Sequence, residues 1–248
     1  MGSSLLGKVA TVTGASRGIG AAIARRLAAE GAAVCVSHRS SAAAAAEVVA
    51  EIEYKGGRAA AIQADMGVVE EARRVVRSTI ERFGALDILV NNAAIGERKK
   101  YTDVAEAEFD ATFAVNVRGP FFAIQEAAPR MRDGGRIINI SSCGTHITQP
   151  TAMLCVYQAS KGALEQLAHC FAKELGPRGI TINSVLPGLV ETELAKQVPE
   201  EYRKSIRERT ALGRIGKPED IAGVVAFLAS DAGRWITGQA ISVTGGLE

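Results

Sequence analysis

The run "KVATVTGASRGIG", residues 8–20, decides the fold. Its first half, "KVATVT", is rich in β-branched residues and reads as a strand. Its second half is a glycine turn that opens "IGAAIARRLAAEG" (19–31), where apolar residues recur at helical spacing and Gly31 stops the helix. Glycines 14, 18 and 20 allow a tight turn and a close backbone approach, so that a pyrophosphate can lie on the helix N-terminus. The spacing is G-x-x-x-G-x-G rather than the more familiar G-x-G-x-x-G. A lone glycine turn says little, but this one occupies the first strand–helix junction of the chain.

The same alternation continues outward. Strand-like "AVCVS" (33–37), "RAAAIQAD" (58–65), "ALDILVNNA" (85–93), "GRIINISS" (135–142), "ITINSVLPG" (180–188) and "QAISVTGG" (239–246) are separated by helical stretches. Helices are expected at 41–54, 68–84, 106–132 with Pro120 as a kink or early-turn residue, 153–175 and 218–230. Strand–helix alternation predicts an α/β doubly wound sheet of seven mainly parallel strands with helices on both faces. With no linker or repeat in view, one domain spanning 1–248 is expected.

Composition narrows the function. The chain has 248 residues, 47% apolar and 23% charged, and a formal charge of +2, which gives no basic field for nucleic acid or anionic lipid. Cys35, Cys143, Cys155 and Cys170 show no metal-ligand spacing, so no metal is expected, and reduced thiols suit the cytoplasm. No apolar run approaches the ~18 residues that span a bilayer. The opening residues pass straight into a strand, which leaves no room for a signal peptide. "NIS" at 139–141 matches a glycosylation sequon within an apolar strand and reads as a chance match.

Two further stretches point to chemistry. "VYQASKGAL" (156–164) sets Tyr157 and Lys161 four residues apart on one helix face, and a cation beside a phenol is expected to lower its pKa. At the end of the second strand, "VCVSHRSS" (34–41) has no carboxylate to accept from the ribose hydroxyls of NAD. Arg39 can fork around a 2′-phosphate there, with Ser37 and Ser40 as donors and Arg17 approaching from the glycine turn. His38 reads as a flanking or adenine-side contact. NADP(H) is the expected cofactor.

With "TGASRGIG", "NNAA", Asn116, "SS" at 141–142, "YQASK" and "PG" in this order, the chain resembles the short-chain dehydrogenase/reductase family from about residue 7 to its end. The resemblance is to the compact branch that includes 3-oxoacyl carrier-protein reductases and many ketone reductases. It implies an NADPH-dependent carbonyl reductase with a catalytic set of Asn116, Ser142, Tyr157 and Lys161. Tyr157 would be the general acid. Lys161 would hold the nicotinamide ribose, Ser142 would bond the substrate oxygen, and Asn116 would anchor a water. Gly14, Ser16, Arg17, Gly18, Ile19 and Gly20 would cradle the cofactor, with Arg39 and Ser40 at its 2′-phosphate and His38 flanking them on the adenine side. Asp65 and Met66 would lie at the adenine, Asn92, Ala93 and Ala94 would pack along it, and Pro187, Gly188, Val190 and Thr192 would meet the nicotinamide end.

Departures from the family pattern set further expectations. Ala94 stands where glycine is usual and crowds the cofactor slightly. The stretch between Ser142 and Tyr157 is a residue or two long, which leaves Ser141 as a second candidate for the serine. It also suggests that His146, Gln149, Met153 and Leu154 shape the substrate pocket. The charged segment 190–214 suits a lid. The substrate is a small ketone or its alcohol, free or carrier-borne, and Arg130, Arg132, Arg136 and Arg178 could attract an acidic carrier protein. The family implies a homotetramer, or a homodimer, through the helices around 106–132 and 153–175. Two other readings stay open: a regulator that senses NADPH without chemistry, and an alcohol dehydrogenase that works oxidatively with NAD.

Overall fold

The computed structural model describes residues 4–146, 153–193, 195 and 198–247. Seven strands form one sheet: β1 (Val9–Val12), β2 (Ala33–His38), β3 (Arg58–Gln63), β4 (Ile88–Asn91), β5 (Arg136–Ile140), β6 (Thr181–Pro187) and β7 (Ala240–Val243). Every pairing is parallel, in the order β3-β2-β1-β4-β5-β6-β7. Parallel neighbours need crossovers, and the crossovers supply the helices that cover both faces.

The strand residues divide between two cores with the period of two that a pleat imposes. Val34 and Val36 of β2, Ile138 and Ile140 of β5 and Val185 of β6 pack with α1 (Gly18–Ala29), α2 (Ala42–Tyr54) and α8 (Pro218–Ala229). Cys35, Leu89, Ile137 and Ile182 face the other way, toward α3 (Val69–Phe83), α5 (Gly119–Ala127) and α6 (Cys155–Leu175). Buried on both faces, these strands could carry almost no charge, which is why they read as apolar runs. The "NIS" match falls on this sheet: Asn139 is fully buried in β5 and accepts from Asn91 Nδ2 at 2.9 Å.

The single helix expected at 106–132 is divided. α4 (Glu106–Phe113) is followed by a π turn at Ala114–Arg118, and α5 then starts with Pro120 in its first turn. Proline has no N–H, so the carbonyl of Asn116, four residues before it, has no α-helical partner, and the wider turn accommodates the break. The helix expected from 153 starts at Cys155. Met153 has φ of 72° and its carbonyl accepts from Lys99 N at 2.9 Å, which turns the chain before the helix can begin. α7 (Glu200–Arg209) is a helix within the charged segment, and Arg98 lies 5.8 Å from the Tyr202 ring centroid, between the loop after β4 and α7.

Strand order reverses between β3 and β4, which leaves a crevice beyond the carboxyl ends of β1 and β4. In open parallel sheets such a switch point is where ligands bind. The glycine turn, the "NNAA" stretch, Ser142 and the Pro187–Gly188 turn all fall on this edge.

Candidate active site

At the crevice the glycine turn is held from below. Thr13 Oγ1 accepts from the backbone N–H of Asn92 and of Ala93, each at 3.0 Å. The Asn92 side chain donates back to the carbonyls of Thr13 and Gly14, at 2.9 and 3.0 Å. Gly14 has φ of 63°, and a Cβ there would lie 2.9 Å from Ala93 Cα. A Cβ on Gly20 would lie 2.5 Å from the Gly14 carbonyl oxygen, so only glycine lets the turn close this tightly. Ser16 and Ile19 are half-buried on the same turn, while Ala94 is exposed beside it. α1 begins after Arg17 with no side-chain cap, so its first N–H groups are available to an anion.

Ala15 N donates to the Ser37 carbonyl at 2.8 Å and so joins this turn to the end of β2. There Arg39, Ser40 and Arg17 are exposed, and the buried Ser37 Oγ and His38 Nδ1 have no hydrogen-bond partner in the protein. Asp65, after β3, accepts from Gly67 N at 2.8 Å, and Met66 is buried beside it. On the far side Pro187 ends β6, Gly188 N bonds the Val243 carbonyl, and Val190 is buried. The Thr192 methyl sits 3.3 Å from where a Cβ on Gly18 would be, which brings the β6 turn against the glycine turn. These pieces of chain surround one cleft. Its glycine cradle, uncapped helix end and unsatisfied buried polar atoms fit a phosphorylated dinucleotide.

Tyr157 lies at the other end of the cleft, in the first turn of α6. Its ring packs so closely on Gly96 that a Cβ there would fall 2.5 Å from Cδ2. Ser142, not Ser141, hydrogen-bonds the phenol. Ser141 is buried and bonds Glu165 and the Lys161 carbonyl. Lys161 is 1% exposed and donates to the Ile140 carbonyl at 2.6 Å. Asn116 is also sealed: its Oδ1 accepts from Ile95 N at 2.9 Å, while Nδ2 donates to Ile95 O and Ser160 Oγ.

The expected lowering of the Tyr157 pKa is not found. Burial pushes the phenol up to about 12, against a smaller opposing pull from the Ser142 hydrogen bond. Lys161 Nζ stands over the face of the ring, 5.6 Å from its centroid. Burial also lowers Lys161 itself to about 8, with the charge of Glu165 acting the other way. Desolvation outweighs pairing for both groups.

The remaining expectations divide. His146 bonds Glu165 Oε2 at 2.7 Å, Met153 and Leu154 precede α6, and Gln149 lies outside the described residues. The four arginines considered for a carrier protein are engaged within the chain. Arg130 pairs with Glu126, Arg132 with Asp87 and Arg178 with Asp133, and Arg136 is buried. Four contributors escaped the sequence: Thr13, Gly96, Glu165 and Arg209, whose charge acts on the half-buried thiol of Cys143. Of these, Thr13 left a trace as the first residue of "TGASRGIG" and Glu165 as an acid four residues after Lys161.

A family model described as enoyl-(acyl carrier protein) reductase matches residues 14–248. An uncharacterized oxidoreductase of Methylorubrum extorquens is 48% identical, over 99% of each chain. Versicolorin reductase 1 of Aspergillus parasiticus is 43% identical, over 97% of this chain and 96% of its own. The crystal structure of the angucycline C-6 ketoreductase LanV with bound NADP superposes with a TM-score of 0.92 at 45% identity, covering 98% of this chain and 96% of that one. The chain belongs to the short-chain dehydrogenase/reductase family, a family of oxidoreductases.

Proposed function

We propose that the protein is an NADPH-dependent ketone reductase. The observation that carries this reading is the half-buried Tyr157 phenol, hydrogen-bonded by Ser142 and faced by the Lys161 ammonium, at the end of a cleft suited to a dinucleotide. Bound NADPH would supply the hydride that forms the new C–H bond at the carbonyl carbon. As the carbonyl π pair moves onto oxygen, Tyr157 gives that oxygen its proton, and a secondary alcohol results. Ser142 steadies the developing charge on the same oxygen. A phenol at about 12 stays protonated at neutral pH, which suits an acid and not a base.

Lys161 compensates the phenolate left behind while it keeps its own proton. The Asn116 amide is committed to Ile95 and Ser160, so its backbone carbonyl, denied an α-helical partner by Pro120, is the group that would anchor a relay water. Because Lys161 loses its charge near pH 8, the reduction rate at saturating NADPH should be level below that point and fall above it. A pH–rate profile under saturation checks this. A rate that keeps rising through pH 9 (~one unit beyond that value) would remove Lys161 from the mechanism.

Arg39 and Arg17 would carry the preference for the 2′-phosphate. Replacing Arg39 with alanine should weaken NADPH binding about 10–100-fold, the worth of charge-assisted bonds of this type, and leave NADH unchanged. Nicotinamide fluorescence titrations with both cofactors measure it. Related proteins named as versicolorin and angucycline reductases favour a cyclic or aromatic polyketide-type ketone as substrate. A turnover screen of such ketones beside 3-oxoacyl thioesters, followed by NADPH absorbance, tests the choice. Binding of NADPH with no turnover of either class would favour a sensor.

A further inference from the structure

Glu165 stands four residues after Lys161, on the same face of α6. Its side chain is 8% exposed, and both carboxylate oxygens are in use. Oε1 accepts from Ser141 Oγ and from Thr145 Oγ1, the latter at 2.7 Å, and Oε2 meets His146 Nε2 at 2.7 Å. All three partners belong to the turn after β5, which also carries Ser142. Thr145 Oγ1 reaches the Ser142 carbonyl at 2.7 Å, and Ser141 Oγ reaches the Lys161 carbonyl at 3.3 Å. One carboxylate therefore joins the serine turn to the lysine helix.

A buried carboxylate is costly unless its bonds are complete and its charge is used. Completing the bonds alone would need only a glutamine. The charge has a use close by, because the ammonium of Lys161 is sealed from water and Glu165 opposes the loss of its proton. The charged or titratable groups around the pair are Lys161 on α6 itself and His146 on the turn. Tyr157 presents its ring, and the Cys143 thiol faces Arg209 from α7.

Resting on the reading of Ser142, Tyr157 and Lys161 as a reducing site, we propose that Glu165 is a positioning residue for the reduction. Its hydrogen bonds fix the turn that presents Ser142, and its charge keeps the buried ammonium of Lys161 protonated in the working pH range.

The test uses Glu165→Gln, whose amide oxygen can still accept from Ser141 and Thr145. Lys161 is read in the cofactor-free protein by carbon NMR of isotopically labelled lysine, titrated against pH. The Lys161 titration should move about one to two pH units lower, the effect of removing a charge at i,i+4 spacing in a partly screened interior. The falling limb of the reduction profile should move with it, and kcat near neutral pH should drop about two- to tenfold. A Lys161 titration unchanged in the variant overturns the charge role. Should the variant fail to fold, Glu165→Asp withdraws the charge by one methylene and should shift the titration the same way by less; no shift there overturns it equally. Thr145→Val keeps the charge and removes the hydroxyl that links Glu165 to the Ser142 carbonyl, so it should lower kcat with the Lys161 titration unmoved. Full kcat in that variant overturns the anchoring role. If the wild-type protein turns over no ketone, the reductase reading fails, while the lysine titration still decides the Glu165–Lys161 coupling.

Discussion

Tyr157→Phe should lower ketone turnover about a thousandfold, within the range that loss of a positioned general acid produces. The ring itself remains. It is clamped against Gly96, with no room to spare, and phenylalanine fills the same volume. What disappears is one hydroxyl that bonds Ser142, so the fold and the cleft at the glycine turn should survive. NADPH binding should therefore stay close to wild type. Steady-state kinetics beside a fluorescence titration separates the two quantities. Turnover retained in this variant would end the assignment of Tyr157 as the acid, whatever the cofactor affinity.

Lys161→Met should part activity from stability. Turnover should drop by about a hundredfold or more, since the buried cation that balances the phenolate is gone. Stability should change little at neutral pH. Lys161 titrates at about 8 in the fold against 10.5 when free, so holding it charged costs the folded state about 3 kcal/mol, at about 1.4 kcal/mol per pH unit. Methionine removes that cost but leaves the Ile140 carbonyl without its donor, a loss of about 1–3 kcal/mol. The two nearly offset.

The sign of the pH dependence follows from the same values. The unfolded chain binds more protons at this lysine between about pH 8 and 10.5, so the wild-type cost is full below that window and gone above it. The variant's stability relative to wild type should accordingly fall by about 3 kcal/mol across the window. Taking the difference cancels the opposing contribution of Cys35, which burial raises to about 12. Urea unfolding at a series of pH values measures it. A constant difference would mean that Lys161 is not buried as a cation.

Much of this molecule is legible in the order of its residues. Apolar runs such as "ILVN" (88–91) and "IINI" (137–140) are short, uncharged and bounded by turns because both faces of a parallel strand are covered, and that property is visible one residue at a time. The glycine turn is readable for a similar reason: positive φ and close approach exclude side chains locally. The spacing of Tyr157 and Lys161 is a local fact of helix geometry. Where a local rule was broken by a distant partner, the sequence misled. Met153 reads as helical, yet a hydrogen bond from Lys99 holds its carbonyl in a turn.

What the sequence by itself determined, then, is the alternation of strands and helices, the dinucleotide-type turn and the candidate residues for the proposed chemistry. Tertiary structure alone decided which of two adjacent serines meets the phenol, and that Asn116 spends its amide on Ile95 and Ser160. It also set the direction of each pKa shift and drew Glu165 into the site. The physical reason is that desolvation and hydrogen-bond completion depend on everything packed around a group. Neighbours in space, contributed by β4, β5 and α6 together, set those quantities, and no spacing along the chain records them.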